Sequence, residues 1–209
     1  MGAHAMTDEM RRRRWDEHHA GGDFEGHGPN ESLQGAVAML RPGTALELAA
    51  GGGTNAIWLA SHGWRVTAVD WSSVALANAR IGAAAAGVEI DWLERDLFTW
   101  TPPARKFDLV VIVYLHLAPT ERRTVYLAAA EAVAPGGHLV VIGHDRSNLA
   151  DGAGPIEAER LLSAPEAARE LVESDRDLAI ERAEVVRRAE TSPAGSLDAL
   201  IVIRRTAAR

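Results

Sequence analysis

The sequence predicts a three-layer α/β fold, with a mostly parallel seven-stranded sheet between helices and an antiparallel hairpin at its end. From Thr44 onward, short apolar runs alternate with helix-like segments. A near-continuous apolar run at 107–114 is typical of a central strand that is buried on both faces. After the fifth apolar run the alternation stops. Two strand-like runs joined by the turn-rich segment 191–196 then close the chain, which predicts the hairpin.

Composition restricts the class of protein. A chain of 209 residues with 47% hydrophobic and 24% charged residues predicts one soluble domain. The formal charge of −7 argues against nucleic acid or an anionic membrane as partner. The absence of cysteine excludes disulfides and zinc–thiolate sites. No signal peptide or membrane span is evident, so we expect a cytoplasmic protein. The single lysine, Lys106, and the abundant alanine suggest a bacterial source.

The region before the first strand predicts a helical lid. Residues 1–5 resemble an expression scar, and 6–43 contain two predicted helices joined by a glycine-rich loop. The first helix runs from about Thr7 to residue 19, and the second begins at the N-cap Asn30 and ends near residue 40. Residues 44–209 form the core of what we expect to be a single domain overall.

The core elements are predicted from apolar periodicity and from glycine, proline and capping residues. The predicted strands are 44–49, 64–70, 89–94, 107–114, 138–143, 179–188 and 197–204. The predicted helices are 54–62, 72–86, 119–134 and 163–173. Gly63 and Gly87 are expected to end the first two of these helices. Ser163 and Glu166 have the spacing of a capping box at the start of the last.

A glycine loop between the first strand and its helix predicts a nucleotide site. Gly51-Gly52-Gly53-Thr54-Asn55-Ala56 fits the G-x-G-x-x-A fingerprint, which alone does not separate a dehydrogenase from other nucleotide binders. Glu47, however, lies where dinucleotide sites usually have an apolar residue. Asp70 ends the second strand, where it can accept hydrogen bonds from a ribose, and Asp96 follows the third strand, where it can accept from an adenine amino group.

These residues resemble the class I S-adenosylmethionine-dependent methyltransferases, which implies a Rossmann-like methyltransferase fold. The resemblance covers roughly residues 15–205. Its carriers are Glu47-x-Ala49-x-Gly51-x-Gly53, Asp70, Asp96-Leu97, Phe107-Asp108-Leu109-Val110, Pro135-Gly136-Gly137 and the hairpin. Within the class, the sequence looks most like the tellurite-resistance and thiopurine methyltransferase-like branch. That finer resemblance is carried by the segments 55–60, 114–117 and 143–149. Gly52 and Thr54 depart from the acidic and basic residues that the branch usually has there.

The resemblance and the strand ends together predict the cofactor site. Ala49, Gly51 and Gly53 should surround the amino-acid end of S-adenosylmethionine, and Asp70 should hold its ribose. The full predicted set is Glu47, Ala49, Gly51, Gly53, Asn55, Asp70, Trp71, Ser72, Asp96, Leu97 and Tyr114. Three alternatives remain open: a glycine turn used only for packing, an exposed Trp71 at a helix start, and an Asp96 that caps a turn.

Two strand ends supply candidate catalytic groups. His116, after the fourth strand, is the first candidate for a general base, because an ordinary histidine pKa of about 6.5 suits that work. His144 and the adjacent Asp145, after the fifth strand, are the second. The alternatives are a packed His116 that only shapes the pocket and an Asp145 that caps a turn.

Residues expected to bind the substrate are Trp15, Asn30, His116 and His144. The lid also contains His18, His19 and His27. Neighbouring histidines point to different helix faces and no carboxylate completes a motif, so we expect no metal site.

The predicted reaction is in-line methyl transfer from S-adenosylmethionine to a small-molecule acceptor, with S-adenosylhomocysteine as product. The acceptor and its reacting atom stay open, and a monomer or a homodimer is expected. Two other functions remain possible at this stage. One is a nicotinamide-nucleotide oxidoreductase. The other is a methyltransferase-fold protein that binds the cofactor without catalysis.

Overall fold

The computed structural model describes residues 13, 16–17, 28–151, 157–188 and 197–207. Five α-helices lie within them: α1 Glu31–Val37, α2 Thr54–Ser61, α3 Ser73–Ala86, α4 Pro119–Ala132 and α5 Ala164–Ser174. The strands are β1 Thr44–Leu48, β2 Arg65–Asp70, β3 Asp91–Glu94, β4 Phe107–Val113, β5 Val133–His144, β6 Leu178–Arg187 and β7 Leu197–Arg205. Two short 3₁₀ helices, Arg146–Asp151 and Ala158–Arg160, lie between β5 and α5.

The seven strands form one sheet in the order β3-β2-β1-β4-β5-β7-β6. The pairs among β1 to β5 are parallel, whereas β7 pairs antiparallel with both β5 and β6. The predicted fold class, a mostly parallel sheet that ends in an antiparallel hairpin, is therefore confirmed. Among the described residues, no helix combines the length and apolar character needed to cross a bilayer.

The core has two parts, one on each face of the sheet. Successive residues of β4 alternate between them, since Leu109 and Val111 join the part that packs under α1 and α2, while Val110 and Ile112 join the part under α4 and α5. All four are fully buried. The apolar run that predicted a central strand covered on both faces is thus explained by its two-residue period.

The boundary between α4 and β5 differs from the prediction. The helix ends at Ala132 rather than at residue 134, and β5 begins at Val133. The ladder with β4 is irregular here, because Phe107 pairs with Val133 and the next pair is Leu109 with His138. A Cβ on Gly137 would lie 2.8 Å from the carbonyl oxygen of Asp108, so only glycine lets the chain pass β4 this closely.

The start of α5 also corrects the sequence analysis. The helix is present as predicted, but the Ser163 side chain makes no capping hydrogen bond. Glu166 pairs instead with Arg146, whose two terminal nitrogens lie 2.9 and 2.6 Å from its oxygens. The Glu166 carboxylate that would complete a capping box is therefore bound by the Arg146 guanidinium in a bidentate pair.

Several predicted features lie outside the described residues. They include Trp15, His18, His19, His27 and the turn 191–196. Of the predicted first helix, only Arg13, Asp16 and Glu17 are described, and they are helical.

Candidate active site

The carboxyl ends of the parallel strands bring the predicted site residues to one edge of the sheet. Leu48 pairs with Val69 on one side and with Ile112 on the other. The segments that follow these residues therefore emerge side by side, as expected for a ligand site in an open α/β sheet.

The glycine loop between β1 and α2 has a left-handed backbone at alternate positions. Ala49, Gly51 and Gly53 have φ values of 58°, 52° and 76°. Gly53 is the N-cap of α2, and a Cβ there would lie 2.5 Å from the Trp92 ring of β3. The close approach of this ring and the positive φ both favour glycine at position 53.

Asp70, at the end of β2, ties two of these segments together. One carboxylate oxygen accepts from the backbone N–H of Gly51 at 2.8 Å, and the other accepts from the N–H of Ser72 at 2.9 Å. The side chain is buried. Each oxygen keeps a second lone pair, so these bonds are compatible with the predicted contact to a ribose.

Ser72 connects the same edge to the N-terminal segment. Its hydroxyl accepts from the N–H of Ala75 at 3.1 Å, which caps α3, and donates to Asp16 at 2.5 Å. Trp71 beside it is partly buried. Asp16 therefore lies against the end of β2, where the lid was expected.

Glu47 is a buried carboxyl group directly below the glycine loop. One of its oxygens accepts from the Asn55 side-chain amide at 3.1 Å, and the other, also buried, has no partner in the described part of the chain. Burial raises the pKa of Glu47 to about 8, the Asn55 side chain and the Ala56 backbone N–H act against the rise, and the charge of Asp70 adds to it. The group is therefore mostly protonated at pH 7.

Asn30 links the loop to the far side of the site. Its side-chain oxygen caps α1 by accepting from the N–H of Leu33 at 3.0 Å. Its backbone N–H donates to the Asn55 side chain at 2.9 Å, and its side-chain amide donates to the Tyr114 hydroxyl at 3.2 Å. The predicted cap is thus confirmed, and the same residue contacts two other predicted site residues.

Three rings after β4 and β5 form a stack. The Tyr114 and His144 rings have centroids 4.8 Å apart, and the His116 and His144 rings are also 4.8 Å apart and nearly parallel. Tyr114 has a positive φ of 56°, where the chain turns out of β4. The two histidines predicted separately as catalytic candidates therefore lie in contact.

Asp198 and Arg188 complete this cluster, and the sequence analysis missed both. Asp198 is only 1% exposed and accepts from the Tyr114 hydroxyl at 2.6 Å. Arg188 donates to its two oxygens at 2.6 and 3.1 Å. Burial alone would raise the pKa of Asp198, but the hydrogen bonds and charge of its neighbours outweigh burial and lower it to about 2. The sequence feature that could have indicated Asp198 is a single carboxylate within the apolar run of β7.

The environment of His116 differs from the expectation of an ordinary imidazole. Burial lowers the pKa of His116 to about 4, and the positive charge that His144 can carry adds to this, while Asp198 acts against it. His116 is therefore neutral at pH 7. Its ring can accept a proton, but as a weaker base than the sequence alone suggested.

Two predicted acids are engaged in turns. One oxygen of Asp145 accepts from the backbone N–H and the hydroxyl of Ser147, at 2.8 and 2.6 Å. Asp96 accepts from the N–H of Phe98 at 2.8 Å. Both residues thus make turn bonds, and the carboxylate that contacts the His144 ring is that of Asp198. Leu97 packs against the core under α4 and α5.

Residues 45–137 match a protein-family model described as a methyltransferase domain. This part of the chain is similar to methyltransferase domains. The match spans the glycine loop, Asp70, Tyr114 and His116. It ends before His144, Arg188 and Asp198, so three of the five residues of the ring and charge cluster lie beyond the matched segment. A comparison with curated proteins finds no match.

Solved structures with this fold include enzymes of different activities. The N-methyltransferase NodS from Bradyrhizobium japonicum with bound S-adenosyl-l-homocysteine is 21% identical, with a TM-score of 0.65 and coverage of 95% of this chain and 88% of its own. Magnesium protoporphyrin IX methyltransferase from Synechocystis, also with the bound product, is 17% identical, with a TM-score of 0.65 and coverage of 98% and 90%. The [4+2]-cyclase SpnF is 18% identical, with a TM-score of 0.74 and coverage of 99% and 98%.

At these identities the structural similarity shows the fold. Together with the family match, it supports a methyltransferase enzyme that uses S-adenosylmethionine, as the sequence predicts. The match to the methyltransferase-domain model leaves the nicotinamide-dependent oxidoreductase without support. The finer resemblance to the tellurite-resistance and thiopurine branch stays a prediction.

Proposed function

We propose that the protein transfers the methyl group of S-adenosylmethionine to a small-molecule acceptor. The observation that carries this proposal is the buried Glu47 carboxyl with an unpartnered oxygen, directly below a glycine loop within a methyltransferase domain. The sulfonium cofactor supplies an electrophilic methyl group when it is bound. The protein then has to bind, orient and exclude water rather than activate the donor.

The residues around the loop fit such a cofactor. Glu47 has free lone pairs for an ammonium group, which is the only ionic group on the methionine part that needs an acceptor. Asp70 has the remaining lone pairs for the ribose. The other residues that we propose for the cofactor are Ala49, Gly51, Gly53, Asn55, Trp71, Ser72, Asp96, Leu97 and Tyr114. A nucleoside without phosphates suits this site, because acidic residues and not basic ones surround the loop.

The methyl acceptor is proposed to bind beside the stacked rings of Tyr114, His144 and His116. We propose that His116 takes the proton that the acceptor loses. Neither of its ring nitrogens makes a hydrogen bond to a described residue. Because the pKa of His116 is about 4, this base suits an acidic acceptor better than an alkyl ammonium. Asn30, His144 and the lid residue Trp15 complete the proposed acceptor site, and Asp145 supports it as the cap of the following turn.

The N-terminal segment is proposed to be the lid. Two contacts support a lid at residues 6–43 over the core at 44–209: the bond from Ser72 to Asp16 and the bond from Asn30 to Asn55. Both contacts lie at the carboxyl edge of the sheet. A lid at this place would exclude water from the transferred methyl group. We further propose a cytoplasmic bacterial enzyme that acts as a monomer or homodimer.

A second candidate function is a reaction other than methyl transfer, carried out by a protein with the same fold. The similarity to the [4+2]-cyclase SpnF supports it, since that structure shares the whole fold with this chain. Gly52 and Thr54 support it as well, because they stand where the branch usually has acidic and basic residues. In this case the site would bind the cofactor or a relative as a structural element.

The test measures S-adenosylhomocysteine formation across a panel of hydroxyl, carboxyl, thiol, amine and oxyanion acceptors, with calorimetric binding of the cofactor in parallel. Turnover with any acceptor supports the main proposal. Binding without turnover across the panel favours the second candidate, and a failure to bind the cofactor contradicts both.

Asp70→Ala provides a site-directed check of the same proposal. It should weaken S-adenosylhomocysteine binding by about tenfold or more, because a hydrogen bond to a charged group contributes about 1.5–3 kcal/mol. Asp91→Ala, on the exposed start of β3, is the matched control and should leave the affinity unchanged. Equal affinities for the two variants would contradict the proposed ribose contact.

A further inference from the structure

A buried contact among His144, Asp198 and Arg188 lies on one side of the ring stack. Asp198 is directly opposite His144 in the ladder between β5 and β7, and Arg188 follows the last residue of β6. The Nδ1 atom of His144 is 2.5 Å from Arg188 Nη2 and 3.2 Å from Asp198 Oδ1. The first neighbour can only donate a hydrogen bond, and the second, ionised, can only accept one.

One ring nitrogen cannot satisfy both neighbours with the same proton. The contact with Arg188 is much the shorter, and a proton on Nδ1 would be directed at a guanidinium donor. Asp198 does not need this proton, because Arg188 Nη2 donates to the same Oδ1 atom at 2.6 Å. In the neutral ring, Nδ1 therefore accepts from Arg188 and the proton lies on Nε2.

We infer that Arg188 and Asp198 are positioning residues that hold His144 in the Nε2–H tautomer, so that His144 offers the methyl acceptor a hydrogen-bond donor. The part of the acceptor that meets His144 is then an atom with a free lone pair. Carbonyl, carboxylate and deprotonated hydroxyl oxygens have this property. The identity of the ligand as a methyl acceptor rests on the proposed function, whereas the tautomer is a property of the free protein.

The exposure of the cluster supports this orientation. Asp198 is 1% exposed, while the side chains of His144 and Arg188 are 24% and 25% exposed. Nδ1 thus faces a buried carboxylate and a guanidinium. Nε2 makes no hydrogen bond to any described residue. Nε2 is therefore the ring nitrogen that is left for a ligand.

The surrounding contacts hold the ring in place. Tyr114 stacks on His144 and donates its hydroxyl to Asp198, and the Arg188 guanidinium lies 5.1 Å from the centre of the Tyr114 ring. A planar guanidinium that is engaged by a carboxylate, a ring face and Nδ1 has little freedom to rotate. The tautomer is therefore set by a preorganised group.

This arrangement separates the roles of the two stacked histidines. His144 donates to the substrate, which leaves His116 as the ring that can take a proton. It also predicts specificity: an acceptor that presents an ammonium group to Nε2–H would bring two donors together, and both would stay unpaired. Acceptors with an oxygen lone pair beside the reacting atom should be preferred.

Nitrogen-15 NMR of the histidine-labelled free protein tests the tautomer directly. Two-bond proton–nitrogen correlations show which ring nitrogen carries the proton, and the His144 signals are assigned by their loss in His144→Gln. We expect the proton on Nε2 of His144 at neutral pH. A proton on Nδ1 in the wild-type spectrum would overturn the inference, whatever the variants do.

Arg188→Met tests the positioning role. Once the guanidinium is removed, Asp198 Oδ1 is the remaining neighbour of Nδ1, so the proton should move to Nδ1. The value of kcat/KM for an oxygen acceptor should fall about tenfold, with S-adenosylhomocysteine affinity changed less than twofold. Arg182→Met, on β6 and in a surface pair with Glu184, should change none of these quantities.

Failure of the positioning role and failure of the proposed function give different results. A wild-type proton on Nε2 that stays there in folded Arg188→Met shows that Arg188 does not set the tautomer, and it overturns the positioning role. Absence of turnover in every variant, with the tautomer as expected, contradicts the proposed function and leaves the positioning role supported. If Arg188→Met does not fold, the wild-type spectrum still decides the tautomer.

Discussion

At the scale of single residues, burial changes the chemistry of two predicted site groups in opposite directions. It raises the pKa of the Glu47 carboxyl to about 8 and lowers the pKa of His116 to about 4. In both cases the neutral form is favoured, because the low-dielectric interior stabilises a charge less than water does. The free site therefore has a neutral acid under the loop and a neutral ring at the acceptor side.

The raised pKa of Glu47 predicts how stability depends on pH. The folded state holds this proton up to about pH 8, whereas the unfolded chain releases it near 4.5. The stabilisation is complete below the unfolded pKa and is lost as pH rises through the folded pKa. The melting temperature of the ligand-free protein should therefore fall between about pH 5 and pH 8 through this group.

Glu47→Gln should remove this contribution, because glutamine does not titrate. Melting curves measured by circular dichroism over that pH range should show a shallower slope for Glu47→Gln than for the wild type. Glu89→Gln, on an exposed residue, is the control and should keep the wild-type slope. Identical slopes for all three proteins would show that Glu47 is ionised in the folded state.

At the scale of secondary-structure elements, a glycine at the N-cap of α2 and a glycine within α1 have opposite effects on stability. Gly53 precedes α2 with a positive φ and lies against Trp92, whereas Gly35 is exposed within α1 and has open space where a Cβ would be. The first glycine is required by its surroundings. The second only adds conformational entropy to the unfolded chain.

Alanine should consequently have opposite effects at these two positions. Gly53→Ala should destabilise the protein by about 1–3 kcal/mol, because the left-handed backbone and the contact with Trp92 both oppose a Cβ. Gly35→Ala should stabilise it by about 0.5–1 kcal/mol. Chemical denaturation gives both values. Shifts of the same sign would contradict the assigned geometry of the loop.

The N-cap residues of α1 and α5 provide a second matched pair. The Asn30 side chain caps α1 and contacts Tyr114, while Ser163 stands at the start of α5 without a capping bond. Asn30→Ala should cost about 0.5–2 kcal/mol, and Ser163→Ala should cost much less. Urea unfolding measures both changes. A larger loss for Ser163→Ala would mean that the capping box predicted from the sequence exists in solution.

At the scale of the whole molecule, Arg205 joins elements that are distant in the chain. It lies on β7, is 1% exposed, and donates to the Asp175 side chain at 2.8 Å and to the Ala130 carbonyl at 2.9 Å. It also lies 3.3 Å from Glu131. One buried guanidinium thus connects the hairpin to the ends of α4 and α5.

Arg205→Ala should destabilise the protein by about 2–5 kcal/mol, because it removes a fully buried side chain, leaves a cavity and deprives the buried Ala130 carbonyl of its bond from Arg205. Arg204→Ala, the exposed neighbour on the same strand, should change stability by less than about 0.5 kcal/mol. Denaturant midpoints compare the two. Similar midpoints would show that the buried Arg205 side chain contributes no more than a surface arginine.

Much of the fold follows from local patterns in the sequence. The alternation of apolar runs predicts every strand of the sheet, and Asn30, Ser72 and Gly87 mark helix ends as expected. The misplaced end of α4 has a different origin. Residues 133–137 are governed by their pairing with β4, and a local pattern does not contain that information.

The sequence by itself determined the elements, the class of sheet and the strand-end residues of the site, because side-chain periodicity and turn residues act over short distances. Only the tertiary structure decided which groups meet and how they ionise. Asp198 faces His144 through the register of β5 and β7, more than fifty residues apart in the chain. Register and burial depend on distant segments, so the charge state of Glu47 and the partners of His144 emerge only when the chain is folded.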